Sequence, residues 1–307
     1  MRYSLRPLQG GFGAQVDCDL SQPGSETRSR DLVNALHRYR FLVFPRQHLN
    51  HADLLAATAI FGPVETDVDR KYTVGGFPGI TIVSNISEDG SPVGIYDGDH
   101  EEEWHADGSF KPCLSQATLL YSVITPSRGG ETRFADTTRA YTDLPAHLKQ
   151  QIEGLRAVHS IQQLGAQQTE ASGGTSSAAA GSLANEPEVE HPLVQVHPVT
   201  GTRALLLGSM VIKGIVGMDP EETRALLSDL LRFATAARYV HSHRWAQGDL
   251  VVWDNLATLH TASPCDSSRH HRLLYRTSVG QPRTGLPRGR LAASSRELSH
   301  ADTTVRA

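Results

Sequence analysis

Short apolar runs bounded by Gly, Pro, Asn or Asp recur along this chain more often than any sustained helical period, and such runs read as buried strands. Phe41-Leu42-Val43-Phe44, stopped by Pro45, is the plainest. Residues 79–84, 117–124, 239–245, 249–254 and 273–279 read the same way, and residues 3–19 as a short strand and turn built around Gly10-Gly11-Phe12-Gly13. Residues 192–199 and 203–207 make a hairpin about Thr200-Gly201-Thr202. Residues 129–136 turn back from the strand before them through Gly129-Gly130, which places Thr132. Helical spacing is confined to four stretches. Residues 28–40 carry Leu32, Val33, Leu36 and Tyr39 at that spacing. Asn50 caps a helix running to Ile60, with Leu55, Ala56 and Ala59 on its inner face. Residues 144–159 are amphipathic, with Pro145 in the first turn, where proline is favoured. Residues 220–234 form a Leu-rich helix.

Many short strands with a few outer helices predict a mainly β (α+β) fold: a double-stranded β-helix, the jelly-roll or cupin-like barrel, with flanking helices. No internal repeat is visible, and no break in composition divides residues 1–281, which read as one domain. Residues 165–190 are low in complexity with little to bury, which predicts a mobile lid insertion. Residues 88–103, rich in glycine and acid, read as a loop over a site mouth, and residues 282–307 as a disordered tail.

Composition narrows the partners. A net charge of -4 over 307 residues, with no basic stripe, argues against nucleic acid. Cys18, Cys113 and Cys265 are odd in number and widely spaced, which suggests neither a disulfide framework nor a zinc motif and fits a reducing cytoplasm. The start lacks the apolar core of a signal peptide, and no apolar run is long enough to cross a bilayer. A cytoplasmic location, no membrane partner and a small-molecule substrate follow as expectations.

The chemistry centres on Glu103-Trp104-His105-Ala106-Asp107-Gly108-Ser109-Phe110. On an extended strand His105 and Asp107 project from one face. An imidazole beside a carboxylate is two thirds of the facial triad that holds a non-haem Fe(II) with open positions. The remaining ligand must be remote in sequence. His260, at the end of Trp253-Asp254-Asn255-Leu256-Ala257-Thr258-Leu259-His260 and directly after an apolar strand, fits. With 15 His in the chain such a pair is weak alone, and its company decides. Trp104 reads as packing beside the pair. Asp254 and Asn255 either orient His260 from behind or fix a turn. His241, His243, His270 and His271 read as surface or packing residues.

Iron of this kind draws electrons from a cosubstrate, commonly a 2-oxo acid, whose far carboxylate suits the planar fork of arginine. If residues 268–277 form a strand, Arg272, Leu274 and Arg276 share one face and Arg269 does not. Two arginines aimed into one barrel make two anion anchors.

Taken together, Trp104 to Phe110, then Gly129-Gly130-Glu131-Thr132-Arg133-Phe134-Ala135-Asp136, then residues 249–260 with Arg272 and Arg276, resemble the taurine and dichlorophenoxyacetate dioxygenases in order and spacing. That family depends on Fe(II), 2-oxoglutarate and O2. The resemblance implies iron at His105, Asp107 and His260, and the distal carboxylate of 2-oxoglutarate at Thr132 and Arg272. It places Arg276 near an anionic part of the substrate, and Glu101 or Glu103 where a polar residue meets the substrate, so that an amine joins the acid there. The segment from His260 to Arg272 is about one residue longer than in the taurine enzyme, which leaves the two arginine roles open to exchange. The implied activity is hydroxylation of a C–H bond of a small carboxylate- or amine-bearing molecule, with succinate and CO2 as co-products. Desaturation or epoxidation by the same cofactors, and a metal-binding sensor without turnover, are the alternatives. A halogenase is disfavoured, because Asp107 fills the position chloride needs. Relatives often assemble, so a homo-oligomer stays open.

Overall fold

Alternating side chains divide each strand between two buried faces, and that division positions the site. The computed structural model describes residues 3–66, 72–86, 103–162, 187–266 and 268–281. The expected lid at 165–190 and loop at 88–103 fall almost wholly outside these, and the tail from 282 does so entirely. A large sheet joins β1 (Ser4–Pro7), β2 (Ala14–Asp17), β3 (Phe41–Phe44), β14 (Leu250–Asp254), β6 (Ala117–Ile124), β16 (Leu273–Val279), β5 (Phe77–Ser84) and β4 (Thr73–Val74), in that order. A smaller sheet runs β13 (Val240–His243), β7 (Thr132–Asp136), β15 (Thr258–Ala262). A third runs β12 (Ile212–Ile215), β8 (Arg156–His159), β9 (Val189–Pro192), and β10 (Val194–Val196) pairs with β11 (Arg203–Leu205) as the expected hairpin.

One face of the large sheet sends Phe41 and Val43 of β3, Leu120 of β6, Val251 and Trp253 of β14 and Leu274 of β16 into a cluster with Phe134 of β7. Phe134 stacks on Phe41 at 4.9 Å and lies 5.4 Å from Trp253, so the two sheets pack face to face. The alternate residues, Leu42, Phe44, Leu119, Tyr121, Leu250, Val252, Leu273 and Tyr275, form a separate core with α1 (Glu26–Tyr39) and α2 (His51–Ala59). Ala135 and Leu259, the outward residues of the small sheet, pack against α3 (Thr137–Asp143), α4 (Ala146–Ile152) and α5 (Pro220–Ala234). Strands buried on both faces read as unbroken apolar runs. Among the described residues, no helix is long and apolar enough to cross a membrane.

Three expectations change. Helix α2 turns Leu54, Ala57 and Thr58 inward, while Ala56 and Ala59 are exposed and Leu55 is half-buried. Its stretch is apolar on more than one face, and a polar contact selects the buried one: the Thr58 hydroxyl meets Thr277 Oγ1 of β16 at 2.7 Å. The helix expected over 144–159 ends at Ile152, because Gly154 (φ 75°) turns the chain into β8. The helix expected from residue 28 begins at Glu26, capped by the Ser25 hydroxyl accepting from the Arg28 amide.

Strand β8 carries a pH-sensitive group. His159 is 1% exposed, its ring 5.2 Å from that of His191 on β9, and among the described residues neither ring nitrogen has a hydrogen-bond partner. Burial, and secondly His191, push its pKa down to about 3. The fold therefore accepts only the neutral imidazole. Its stabilising effect is complete above the unfolded pKa of about 6.5 and is lost as pH falls from there towards 3. Between about pH 7 and 5 this amounts to about 2 kcal/mol. Urea unfolding across that interval should show it, and His159→Phe should flatten the dependence. An unchanged slope in the variant would place the proton uptake elsewhere.

Candidate metal centre

The motif residues do not lie on a regular strand. His105 makes an isolated bridge with His260 of β15, its amide donating to the His260 carbonyl at 3.0 Å and its carbonyl accepting from the His260 amide at 2.9 Å. The chain then turns at Asp107 through Gly108, whose φ of 70° and closeness to Ser115 leave no room for a side chain. The turn still brings Asp107 beside the histidines. His105 Nε2 lies 3.8 Å from Asp107 Oδ1, and His260 Nε2 lies 3.6 Å from Asp107 Oδ2. One donor atom from each of the three lies within 4.8 Å of the others. The two rings are 4.1 Å apart, with Trp253 4.7 Å from His260 on the interior side.

Hydrogen bonds fix which atoms face the centre. The Glu103 carbonyl accepts from His105 Nδ1 at 2.8 Å, which leaves the Nε2 lone pair pointing inward. The Thr118 hydroxyl donates to Asp107 Oδ2 at 2.7 Å, and Asn255 Nδ2 donates to Thr118 Oγ1 at 2.9 Å. Thr118 is fully buried and Asn255 nearly so. Burial disfavours the charge on both Asp107 and His260. For Asp107 it is outweighed by His260, Arg276, His105 and the Thr118 hydroxyl, so the carboxyl is held well below its usual range. For His260, burial and then the adjacent His105 push the imidazole down to about 3. At neutral pH an ionised carboxylate therefore faces a neutral His260, a donor set that suits a divalent cation such as Fe(II).

A second His/His/Asp group, His37, His197 and Asp254, is as tightly gathered. Its hydrogen bonds exclude the same use. His197 Nδ1 accepts from the amides of Val199 and Thr200 at 3.1 and 3.2 Å, so its proton sits on Nε2 and is donated to Asp254 Oδ2 at 2.9 Å. His37 Nδ1 lies 3.4 Å from the same oxygen. This group ties α1, the β10–β11 turn and the end of β14 together.

The remaining sequence candidates fall as follows. Arg276 projects from β16 with its Nη1 3.6 Å from Asp107 Oδ1, its side chain 38% exposed. Arg272, just before β16, is 2% exposed, and its stem lies against Gly130, two residues before Thr132. Asn85 holds the Arg272 backbone: its Oδ1 accepts from the Arg272 amide at 2.8 Å, and its own amide donates to the Arg272 carbonyl at 3.2 Å. Thr132 is buried, and its Oγ1 accepts from Trp245 Nε1 at 3.1 Å. Trp104 is half-buried, with the Arg133 guanidinium 5.4 Å from its ring centre. Glu103 is exposed, its carboxylate bonded to the Ser209 hydroxyl, and Glu101 lies outside the described residues. Asn255 reaches Asp107 through Thr118, while Asp254 reaches the two histidines above. Thr118, Asn85 and Trp245 escaped the sequence reading. Thr118 alone left a trace there, as a hydroxyl on the Leu120 face of an apolar strand.

Thr118→Val keeps the shape and removes the proton given to Asp107. Partners of this kind are worth about 10–100-fold in metal affinity, so Fe(II) binding should weaken by that factor with little change in thermal stability. Competition with a chromogenic chelator measures it, and wild-type affinity would make the bond purely architectural.

Comparison with known proteins places the chain in a family. Residues 4–278 match the model of the family described as taurine catabolism dioxygenase TauD, TfdA family. The (S)-phenoxypropionate/alpha-ketoglutarate-dioxygenase of Sphingobium herbicidovorans is 34% identical over 295 residues, covering 91% of this chain and 96% of that protein. The alpha-ketoglutarate-dependent 2,4-dichlorophenoxyacetate dioxygenase of Cupriavidus pinatubonensis is 31% identical over 288 residues, covering 91% and 98%. The crystal structure of AAD-2 in complex with Mn(II) and N-oxalylglycine has a TM-score of 0.77 at 28% identity, covering 94% of this chain and 100% of that one. With its family model spanning nearly all the described residues and its relatives matched over almost their full length, this chain belongs to the TauD/TfdA dioxygenase family.

Proposed function

We propose that the chain is an Fe(II)- and 2-oxoglutarate-dependent dioxygenase that hydroxylates a C–H bond of a small carboxylate-bearing molecule, acting in the cytoplasm as a single jelly-roll domain over residues 1–281. The observation that carries this is the convergence of three side chains from distant stretches, His105, Asp107 and His260, with the carboxylate ionised and His260 neutral. These three would hold the iron. Iron with 2-oxoglutarate and O2 supplies oxidative decarboxylation of the keto acid and the oxidant for the substrate C–H bond.

The other residues bind, orient and enclose. Arg272 and Thr132 would hold the distal carboxylate of the keto acid. Burial separates the two arginines: Arg272, 2% exposed as a residue, suits an enclosed cosubstrate, and Arg276, its side chain 38% exposed, suits a substrate that enters and leaves. Arg276 would therefore take the acidic group of the substrate, with its positive charge already beside Asp107. Glu103, exposed near the motif, would meet a cationic substituent of the substrate. The aromatic wall of Trp253 and Phe134 behind His260 keeps water from the inner side of the centre.

Anaerobic addition of 2-oxoglutarate to the Fe(II)-loaded protein should produce a visible metal-to-ligand charge-transfer band. Screening small aromatic and aliphatic acids should then identify those that trigger succinate release. A protein that gives no band at saturating iron and keto acid would end the proposal.

A further inference from the structure

We infer that Trp245 is a positioning residue for the keto acid: by donating its indole N–H to Thr132 Oγ1, it commits the Thr132 hydroxyl proton to the distal carboxylate of the cosubstrate. The inference rests on the assignment of Thr132 and Arg272 proposed above.

Trp245 follows β13, in which His243 pairs with Thr132 across the ladder. Its ring is 7% exposed, belongs to the cluster between the two sheets and stands edge-on to His243 at 4.8 Å. An indole nitrogen can only donate, so at 3.1 Å it occupies an acceptor site of the Thr132 oxygen. The Thr132 proton must then find its own acceptor. Thr132 is 2% exposed, and among the described residues no acceptor takes that proton. A buried donor left unsatisfied is costly, so the position calls for an oxygen supplied from outside the chain.

The same device is complete elsewhere in the molecule. Behind Thr118 stands a donor, Asn255 Nδ2 at 2.9 Å, and ahead of it an acceptor, Asp107 Oδ2 at 2.7 Å. Thr132 has the donor behind it and the buried guanidinium stem of Arg272 against neighbouring Gly130. A carboxylate offers one oxygen to a guanidinium and one to a hydroxyl, and a hydroxyl turned the other way would present lone pairs to that anion. Trp245 prevents that orientation. The merely structural reading, in which the bond only satisfies a buried indole, predicts no coupling to the keto acid.

Trp245→Phe keeps an aromatic ring and removes the N–H. In anaerobic titrations of the Fe(II) protein followed at the charge-transfer band, it should weaken 2-oxoglutarate binding by roughly five- to thirtyfold, with Fe(II) affinity unchanged. Thr132→Val should weaken keto acid binding too, and adding Trp245→Phe in that background should cost nothing further. Wild-type affinity in Trp245→Phe, or an undiminished loss in the double variant, overturns the inference while leaving the Thr132 assignment standing. Unchanged affinity in Thr132→Val removes that assignment, and the inference with it. A second measurement leaves Trp245 intact. The chain has 3 Trp, so a nitrogen-15 indole spectrum of the Zn(II)-loaded protein is simple to follow. The indole resonance displaced by Thr132→Ser should also move when 2-oxoglutarate is added, and no response to the keto acid counts against the inference whether or not Trp245→Phe folds.

Discussion

Asp107→Ala will leave a folded protein that no longer binds Fe(II), with turnover falling at least about a thousandfold. Losing an outer partner of a metal ligand costs about 10–100-fold in affinity, and losing the ligand itself costs more. Asp107 contributes the charge of the set, since His260 is neutral, and its carboxylate is the group that both Nε2 atoms and Arg276 face. The fold should survive. Removing one member of a buried ion pair destabilises chiefly when it strands a buried charge; here His260 is neutral and the Arg276 side chain is 38% exposed, and the turn at this point depends on Gly108 rather than on the carboxylate. The clean measurement is the thermal shift produced by divalent metal, because a ligand that binds only the native state raises the midpoint in proportion to its affinity. Wild type should gain several degrees with Mn(II) or Fe(II) and the variant none. A variant that still gains the wild-type shift would show that the metal is held elsewhere.

Arg272→Leu should weaken 2-oxoglutarate binding by roughly 100–10,000-fold. Charge-assisted hydrogen bonds are worth about 1.5–3 kcal/mol each, and a fork-to-carboxylate contact makes two of them. The variant also tests the choice between the arginines. Arg276→Leu should leave keto acid affinity near wild type and weaken acidic substrates, raising KM. If the two outcomes are exchanged, so are the roles. Part of the Arg272 loss will come from misplacement, because Asn85 grips its backbone from the end of β5 and the pair moves as a unit. Asn85→Ala should therefore reproduce a fraction of the effect, in the affinity for the keto acid rather than for the metal.

Much of this was legible before any coordinates. Strand parity was the strongest signal: Leu274 of β16 lies in the cluster between the sheets and Arg276 reaches Asp107, while Leu273 and Tyr275 belong to the helix-facing core. The remote partner of the HxD pair was also legible, since His260 closely follows an apolar strand; the structure places it at the middle of β15. What stayed hidden has physical causes. The inner face of α2 depended on one hydroxyl contact across 219 positions, which local spacing does not encode. The 144–159 stretch fits either period until Gly154 decides it through its backbone angle. Thr118 reaches Asp107 across 11 positions, while Asn85 and Trp245 meet Arg272 and Thr132 across 187 and 113, and a Thr, an Asn or a Trp in a buried strand or turn is unremarkable in composition. The HxD motif was read as strand and is a bridge followed by a turn. The conclusion about convergence survived because the reciprocal amide bonds to His260, rather than regular pleating, set the approach.

That reciprocal pair bears on how such an enzyme changes over evolutionary time. The spacing of the two imidazoles is written into main-chain amides and carbonyls, which no side-chain replacement alters, and the tautomer of His105 is set by another carbonyl at residue 103. Side chains around the pair can therefore be exchanged without displacing the two imidazoles. New specificities can be grafted there while the oxidative chemistry is inherited unchanged.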